Sequence, residues 1–511
     1  MSVFSRVSSP KIRRSAFNLS YDKKFNCDMG QLIPVMADEV VPGDVFNIGN
    51  EVVIRFQPLV APVLHEINVY IHYFFVPYRI LWHDSDDVNW ENFITGGEDG
   101  TDASTLPRWN PTNNGKYSLW DYLGFPIGVK PNGALPLSFP KRAYNMIWNE
   151  YYRDENLQDP VNIDQENILN RCWEKDYFSS ALPWQQRGIA PALPISGTTS
   201  AVFSNDLRTN VDSNWTMGVN GLYAEPVDNY TRFKTKVDVK GDTTHSHLIP
   251  ASQLNNNTVD LSNATTFDVS DLRLAFQIQK WLERNARGGA RYTEFLRAHF
   301  GVAPRDERLQ RPEYLGGTKS PILVSEVLQT SSTDTTSPQG NLAGHGISVA
   351  GNHVCRYHAK EFGVIIGLMS IMPRTAYMQG INRQWLRRTR YDFYSPEFAH
   401  LSEQGIERAE IYADDNETDN QTLFGYQGRY NEMRKKQSMV CADMRDTFDF
   451  WHLARKFSTP PMLNSSFVSC VPRKDIFAVQ NEPGIIVNMS NDIIALRPMP
   501  INPDPGLIDH A

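Results

Sequence analysis

The stretch INVYIHYFFVPYRILW, Ile67–Trp82, constrains the fold of this 511-residue chain most tightly. One alternating set is Ile67, Val69, Ile71, Tyr73 and Phe75, almost wholly apolar. The other set is Asn68, Tyr70, His72, Phe74 and Val76, which starts mixed and turns apolar. A strand sends the two sets to opposite faces. The pattern therefore predicts a strand packed on one side by a second sheet and partly covered on the other. Pro77 cannot donate to a ladder and should end it. Exposed aromatics on a sheet can also stack on nucleic-acid bases, so that use stays open until the charges are placed.

The same alternation recurs in EVVIRFQPL, where Val52, Ile54 and Phe56 oppose Val53, Arg55 and Gln57. Pro42–Asp44 marks a turn ahead of it. Late in the chain EFGVIIGLMSIMPRTAY repeats the design, with Pro373 as the stop. Between these strand-rich ends the pattern changes. Residues 83–137 are broken by Gly, Pro and Asn but carry Trp90, Phe93, Trp109, Trp120 and Tyr122. A loop that long in a folded protein is expected to be functional or to make an interface. SFPKRAYNMIWNEYYRDE predicts a helix capped by Ser138, with a stripe of Ala143/Tyr144, Ile147/Trp148 and Tyr151/Tyr152 facing a core. Another helix is expected from Ser270 or Asp271, with Leu274, Ile278 and Trp281/Leu282 on one face and a break at Gly288-Gly289. Strands at both ends with a helical and looped middle read as one mainly β fold. The simplest architecture is a single jelly-roll β-sandwich of roughly eight strands with long loop and helical insertions.

Three segments stand apart. Residues 1–30 form a basic arm, expected to have little structure of its own. Residues 196–266 are rich in Asn, Ser, Thr and Gly and read as a surface excursion. Residues 495–511 hold four prolines between Pro498 and Pro505 and read as an extended C-terminal arm.

Chemistry is sparse. The five cysteines form no CxxC pair, which argues against a disulfide framework and fits a reducing compartment. The start of the chain lacks an apolar run, so no secretory signal is expected, and no stretch reaches the ~20 apolar residues of a membrane span. There is no phosphate-cradling GxxxxGK[ST] loop. In HVCRYH, His353 and Cys355 should share a strand face while His358 falls on the other unless the chain turns, and no fourth ligand completes a zinc site. No catalytic group, metal site or cofactor is assigned.

The charges carry more information. The net charge is −8, so contact with nucleic acid must come from local patches. One basic run is the N-terminal arm, with Arg6, Lys11, Arg13 and Arg14. A second is RQWLRRTRYDFY, where Arg383, Arg387, Arg388 and Arg390 interleave with Trp385 and Tyr391. A third is RYNEMRKK, with Arg429, Arg434, Lys435 and Lys436, and a fourth spans Arg273–Arg311. Such runs serve either a phosphate backbone or ion pairs within and between subunits. We single out Arg6, Lys11, Arg13, Arg14, Arg387, Arg388, Arg434 and Lys435 as candidates for contact with a phosphate backbone.

Several stretches together resemble the major capsid protein of microviruses, on the gokushovirus branch. They are RSAFNLSYDKKFNCDMGQLIPVMADEVVPGDVF, HYFFVPYRILW, RAYNMIWNEYYRDENL, DYFSSALPWQQRG, RLQRPEYLGG and PGLIDH, in this order from residue 14 onward. The resemblance implies a non-enzymatic jelly-roll subunit that self-assembles into a small icosahedral shell around circular single-stranded DNA. It implies other virion and scaffold proteins as partners, assembly in a bacterial host cytoplasm, and no insertion into a membrane. It also implies a protruding loop, for which 196–266 is the candidate by composition. That loop could either bind a host surface receptor or shield the shell. Trp90, Trp109 and Trp120 are candidates for subunit-interface anchors. The alternatives are a carbohydrate-binding or glycoside-processing β-sandwich and a non-specific single-strand-binding module, which the net charge disfavours.

Overall fold

Strands form where the sequence alternates with period two, and the longest apolar runs take central positions. The computed structural model describes residues 13–191, 201–202, 219–227, 230–237, 258–259, 269–328 and 342–501, apart from 99, 102, 103 and 290. In chain order the strands are β1 (Ser15–Asn18), β2 (Tyr21–Cys27), β3 (Ile33–Val40), β4 (Val45–Phe56), β5 (Ile67–Pro77), β6 (Ala201–Val202), β7 (Val219–Val227) and β8 (Tyr230–Val237). They continue as β9 (Thr258–Val259), β10 (Glu313–Leu328), β11 (Leu342–His358), β12 (Gly363–Pro373), β13 (Glu403–Glu407), β14 (Leu423–Gly428) and β15 (Ile485–Arg497). The chain divides into two bodies, residues 1–187 with 285–511, and residues 188–284.

In the first body nine strands form one antiparallel sheet in the order β1-β15-β4-β11-β10-β5-β12-β3, with β2 also on β15. The long strand β10 turns this sheet into a sandwich. Its first part pairs with β5, through a bulge between Tyr314 and Gly316. Its last part, Leu323–Leu328, pairs with β11 instead. One wall is therefore β3-β12-β5-β10, and the other is β10-β11-β4-β15 with β1 and β2. Between them lies a core that includes Phe46, Ile48, Ile54, Ile71, Phe75, Ile365, Met369 and Val487. This is the jelly-roll sandwich that the sequence predicts.

β5 runs from Ile67 to Pro77, so the proline ends it as expected. Ile67, Val69, Ile71, Tyr73 and Phe75 enter the sandwich core. Phe74 and Val76 point the other way, into a second apolar cluster with Leu32, Trp82, Trp109, Trp120, Tyr144 and Ile366. The helix Phe139–Ile147 supplies the lid of that cluster and runs on into a π-turn at Trp148–Tyr152. On the same outer face the His72 ring stacks on Tyr152 at 6.0 Å, and its Nδ1 lies 2.8 Å from the Tyr152 hydroxyl. Burial, helped by the nearby Arg171 charge, lowers the His72 pKa to about 4.

An open sheet edge presents unpaired carbonyls. Here β3 is the edge, and side chains from across the gap satisfy it. Lys23 Nζ donates to the Pro34 carbonyl at 2.9 Å, Asn491 Nδ2 to Val35 at 3.2 Å, and Arg497 Nη2 to Glu39 at 2.7 Å. The sandwich is thus closed by hydrogen bonds that no ladder makes.

Several expectations change. The described part of the basic arm is tied to the sheet, because Ser15–Asn18 and Tyr21–Cys27 pair along β15. Lys23, read as part of a basic arm, is a structural cation, and burial holds its pKa down at about 8. Arg6 and Lys11 lie outside the described residues. At the other end, Ala495–Arg497 finish β15 rather than starting an extended arm, and residues 502–511 lie outside the description. The Ser138 hydroxyl donates to the Pro107 carbonyl and caps nothing. A bulge between His353 and Cys355 shifts the register. His353 is consequently exposed while Cys355 enters the core, so they do not share a face.

In the second body, β6 pairs with β9 and β7 with β8, both antiparallel. Most of the excursion expected at 196–266 lies outside the described residues. The helix at its end starts at Val269, so Ser270 and Asp271 sit inside it rather than capping it. It reaches Gly288, and Gly289 breaks it at φ +103°.

Candidate nucleic-acid interface

The second and third basic runs meet on one surface, supported by the β13–β14 hairpin. That hairpin packs through Ile406 and Phe424 onto Tyr177, Phe178, Tyr377 and Phe467. Three carboxylates, Glu403, Glu410 and Glu432, are buried in and beside it. A buried carboxylate needs a cation and hydrogen-bond donors, and the basic runs provide both. Glu410 accepts from Arg383 Nη1 at 2.7 Å, Tyr177 hydroxyl at 2.8 Å and the Glu407 amide at 2.9 Å. Burial raises its pKa, and Arg383 opposes the rise. Glu432 accepts from Gln404 at 2.9 Å and lies 3.7 Å from Arg387. Arg287 reaches Glu403 at 2.5 Å.

This network sorts the candidates. Arg387 is tied to Glu432 and packs over Phe393 at 5.1 Å. Arg388 holds Glu407 with both terminal nitrogens, at 3.1 and 2.7 Å. Both build the surface rather than presenting free charge. Arg434 and Lys435 are exposed. Among the described residues no carboxylate lies within 4 Å of either, nor of Arg390, Arg429 or Lys436. Lys436 Nζ donates to Gln384 at 2.8 Å, and Arg429 Nη2 to the Tyr391 carbonyl at 2.9 Å. These bonds join the 429–436 segment to the 383–391 segment.

Aromatic rings lie among these cations. Trp385 is 76% exposed, and Tyr391, Phe393 and Tyr394 are each about half exposed. Arg390 lies over Tyr391 at 4.8 Å, and Arg429 over Tyr430 at 4.9 Å. Free cations pair with phosphates, and exposed ring faces stack on bases without reading sequence. The sequence points to Arg387, Arg388, Arg434 and Lys435. The structure adds Arg390, Arg429 and Lys436 as free cations, with Phe393 and Tyr394 as ring faces. The string RYDFY already contained those rings. The carboxylates that occupy Arg387 and Arg388 lie too far away in sequence to be foreseen.

The other candidates are placed elsewhere. Arg13 and Arg14 are exposed just before β1. Trp109 and Trp120 are 1% and 0% exposed, with rings edge to face at 5.0 Å. Their indole nitrogens donate at 2.8 Å to Glu166 and to the Pro126 carbonyl. Trp90 packs partly buried against the same cluster. Trp109 and Trp120 thus have no free ring face to offer a neighbouring subunit.

Residues 5–507 match the family described as capsid protein (F protein). The chain belongs to this phage capsid family. It is 35% identical to capsid protein VP1 of Chlamydia phage 1, covering 99% of this chain and 97% of the relative. It is 34% identical to VP1 of Bdellovibrio phage phiMH2K, over 97% and 96% of the two chains. For VP1 of Spiroplasma virus 4 the identity is 31%, over 99% and 97%. The microvirus resemblance of the sequence is borne out, and with it a structural, non-enzymatic capsid protein. The glycan-binding alternative is not favoured. Among the described residues no helix is long and apolar enough to cross a membrane.

Proposed function

We propose that this chain builds the icosahedral shell of a small bacterial virus and that its ring-lined basic patch contacts packaged single-stranded DNA. One observation carries the second part. Arg390, Arg429, Arg434, Lys435 and Lys436 stand beside exposed Trp385 and Tyr391, with no carboxylate partner among the described residues. In a chain of net charge −8 such a surface costs self-repulsion unless an anion meets it. Arg6, Lys11, Arg13 and Arg14 are proposed as a second DNA contact from the N-terminal arm. Residues 196–266 are proposed as the surface protrusion, with scaffold and minor virion proteins assisting assembly in the host cytoplasm. Trp90, Trp109 and Trp120 act on lateral contacts indirectly, by fixing the 83–137 loop whose Ile94, Ile127 and Val129 are exposed.

The test is negative-stain microscopy of particles, with nucleic-acid absorbance read on the same sample. Arg434→Gln/Lys435→Gln/Lys436→Gln particles should keep their shape and lose DNA. The Arg6, Lys11, Arg13 and Arg14 to Gln variant should do the same. DNA content equal to that of the parent particle in either variant counts against that contact. A monodisperse monomer, even with scaffold proteins supplied, would overturn the shell reading.

A further inference from the structure

A second positive surface shares no residue with the aromatic patch. It is a cleft of about 760 Å³, within the roughly 300–1,000 Å³ range of ligand sites. Its charged lining is Arg79, Arg305, Glu307, Arg308, Lys360 and Glu361. Four cations against two acids leave a net charge of +2. The acids are already engaged. Glu361 accepts from Arg79 at 2.6 and 3.2 Å, and Glu307 accepts from Lys360 at 3.0 Å on both oxygens. That leaves Arg305 and Arg308, three residues apart around the short turn Asp306–Leu309. Among the described residues no carboxylate lies within 4 Å of either. Their neighbour Arg311 is withdrawn, because it pairs with Asp306 at 2.5 Å and lies over Tyr151 at 5.5 Å. The chain leaves the turn through Gln310 at φ +54°, a conformation that L side chains rarely adopt. Gln310 also lines the cleft.

We propose that this cleft binds phosphate oxyanions. Guanidinium forks match the geometry of phosphate oxygens. Among the described residues no aromatic side chain lines this cleft itself; Tyr314 and Tyr357 line an adjoining cavity that shares Arg305, Glu307, Lys360 and Glu361 with it. Within the cleft the ligand is therefore recognised through phosphate alone, either the backbone of a nucleic acid or a free phosphate ion. The cleft is independent of the ring-lined patch and stands or falls separately.

The test uses the full chain with two probes, inorganic pyrophosphate and a single-stranded abasic deoxyribose-phosphate oligomer. The oligomer has no bases, so stacking on Trp385 contributes nothing. Arg305→Gln/Arg308→Gln should weaken oligomer binding at least about tenfold in moderate salt. It should also lower the slope of log affinity against log salt by about 1.4, two contacts at roughly 0.7 each for a single strand. Arg305→Lys/Arg308→Lys keeps the charge and should retain most of the affinity, which separates lost charge from lost fold. The parallel Arg434→Gln/Lys435→Gln variant reports on the other patch. Saturable pyrophosphate binding that displaces the oligomer assigns the site to free phosphate, and binding of the oligomer alone assigns it to a backbone. Unchanged affinity and slope in a Gln variant with the parent's melting temperature overturns the proposal, as does a wild-type chain that binds neither probe.

Discussion

Two aromatic groups in this subunit began as similar sequence signals and have opposite structural fates. One comprises Trp82, Trp109, Trp120 and Tyr144, on the outer face of β5 and β12. The other comprises Trp385, Tyr391, Phe393 and Tyr394, beside the β13–β14 hairpin. Both sit next to cations in the sequence. In the first group the polar atoms find acceptors within the chain. Trp120 donates to Pro126, and Tyr144 to the Leu32 carbonyl at 2.9 Å. The nearby Arg142 is held by Asp164 through two bonds of 3.0 Å. In the second group the rings stay open, and part of the charge has no acid to meet. The difference separates surface that stabilises the subunit from surface kept for a partner. Partner carboxylates, more than aromatic content, decide which is which.

Truncating one tryptophan from each group should give very different losses of stability. Trp120→Ala removes a fully buried ring, for which about 3–5 kcal/mol of stability is the expected loss. Trp385→Ala removes an exposed ring and should change stability by no more than about 0.5 kcal/mol. Thermal or denaturant melting of the two variants decides the matter. Similar losses in both would mean that Trp385 is packed in solution and is not a stacking face.

Next in size is a pH effect confined to the buried group. The folded state holds the His72 pKa at about 4, below the ordinary 6.5. Between these values the unfolded chain binds more protons than the folded one, so stability rises with pH across the window. Acidification from pH 6.5 to 4 should therefore weaken the subunit progressively, by at most about 3 kcal/mol from this group. His72→Phe should flatten that part of the melting-temperature profile. An unchanged profile would show that His72 does not titrate within this window.

Much of the first group was legible in the sequence, and less of the second. The strands β4, β5 and β12 carry their burial in period-two patterns that local sequence suffices to reveal. The apolar stripe of the helix Phe139–Ile147 does so at helical spacing. Strands β1 and β2 were not legible, because they are short, polar edges whose pairing depends on β15, more than 450 residues away. The role of Lys23 is hidden with them, because only the pairing of β2 with β15 brings its ammonium to the Pro34 carbonyl. At the patch, RQWLRR announces charge beside rings. Nothing local says that Arg387 and Arg388 meet Glu432 and Glu407, which leaves Arg390, Arg429 and Arg434–Lys436 as the cations without a carboxylate among the described residues.

Stacking of one base on one ring contributes about 1–3 kcal/mol. Trp385→Ala should therefore weaken single-stranded DNA binding by roughly 5- to 150-fold, while Trp120→Ala in its folded fraction should leave it unchanged. The abasic oligomer should not distinguish Trp385→Ala from the parent chain. Equal weakening for the oligomer and for DNA would mean that the tryptophan only shapes the patch.

Arg434 and Lys435 are exposed and free of carboxylates, whereas Arg388 is committed to Glu407 through a bidentate pair. If each free cation meets one phosphate, Arg434→Gln/Lys435→Gln should lower the salt slope of DNA binding by about 1.4. Arg388→Gln should leave that slope nearly untouched, since its guanidinium already neutralises a carboxylate. Its loss would instead expose Glu407 and weaken binding uniformly through repulsion. Equal changes in slope for the two variants would show that Glu407 releases Arg388 when DNA arrives. The ion pair would then be a resting state of the patch rather than part of its frame.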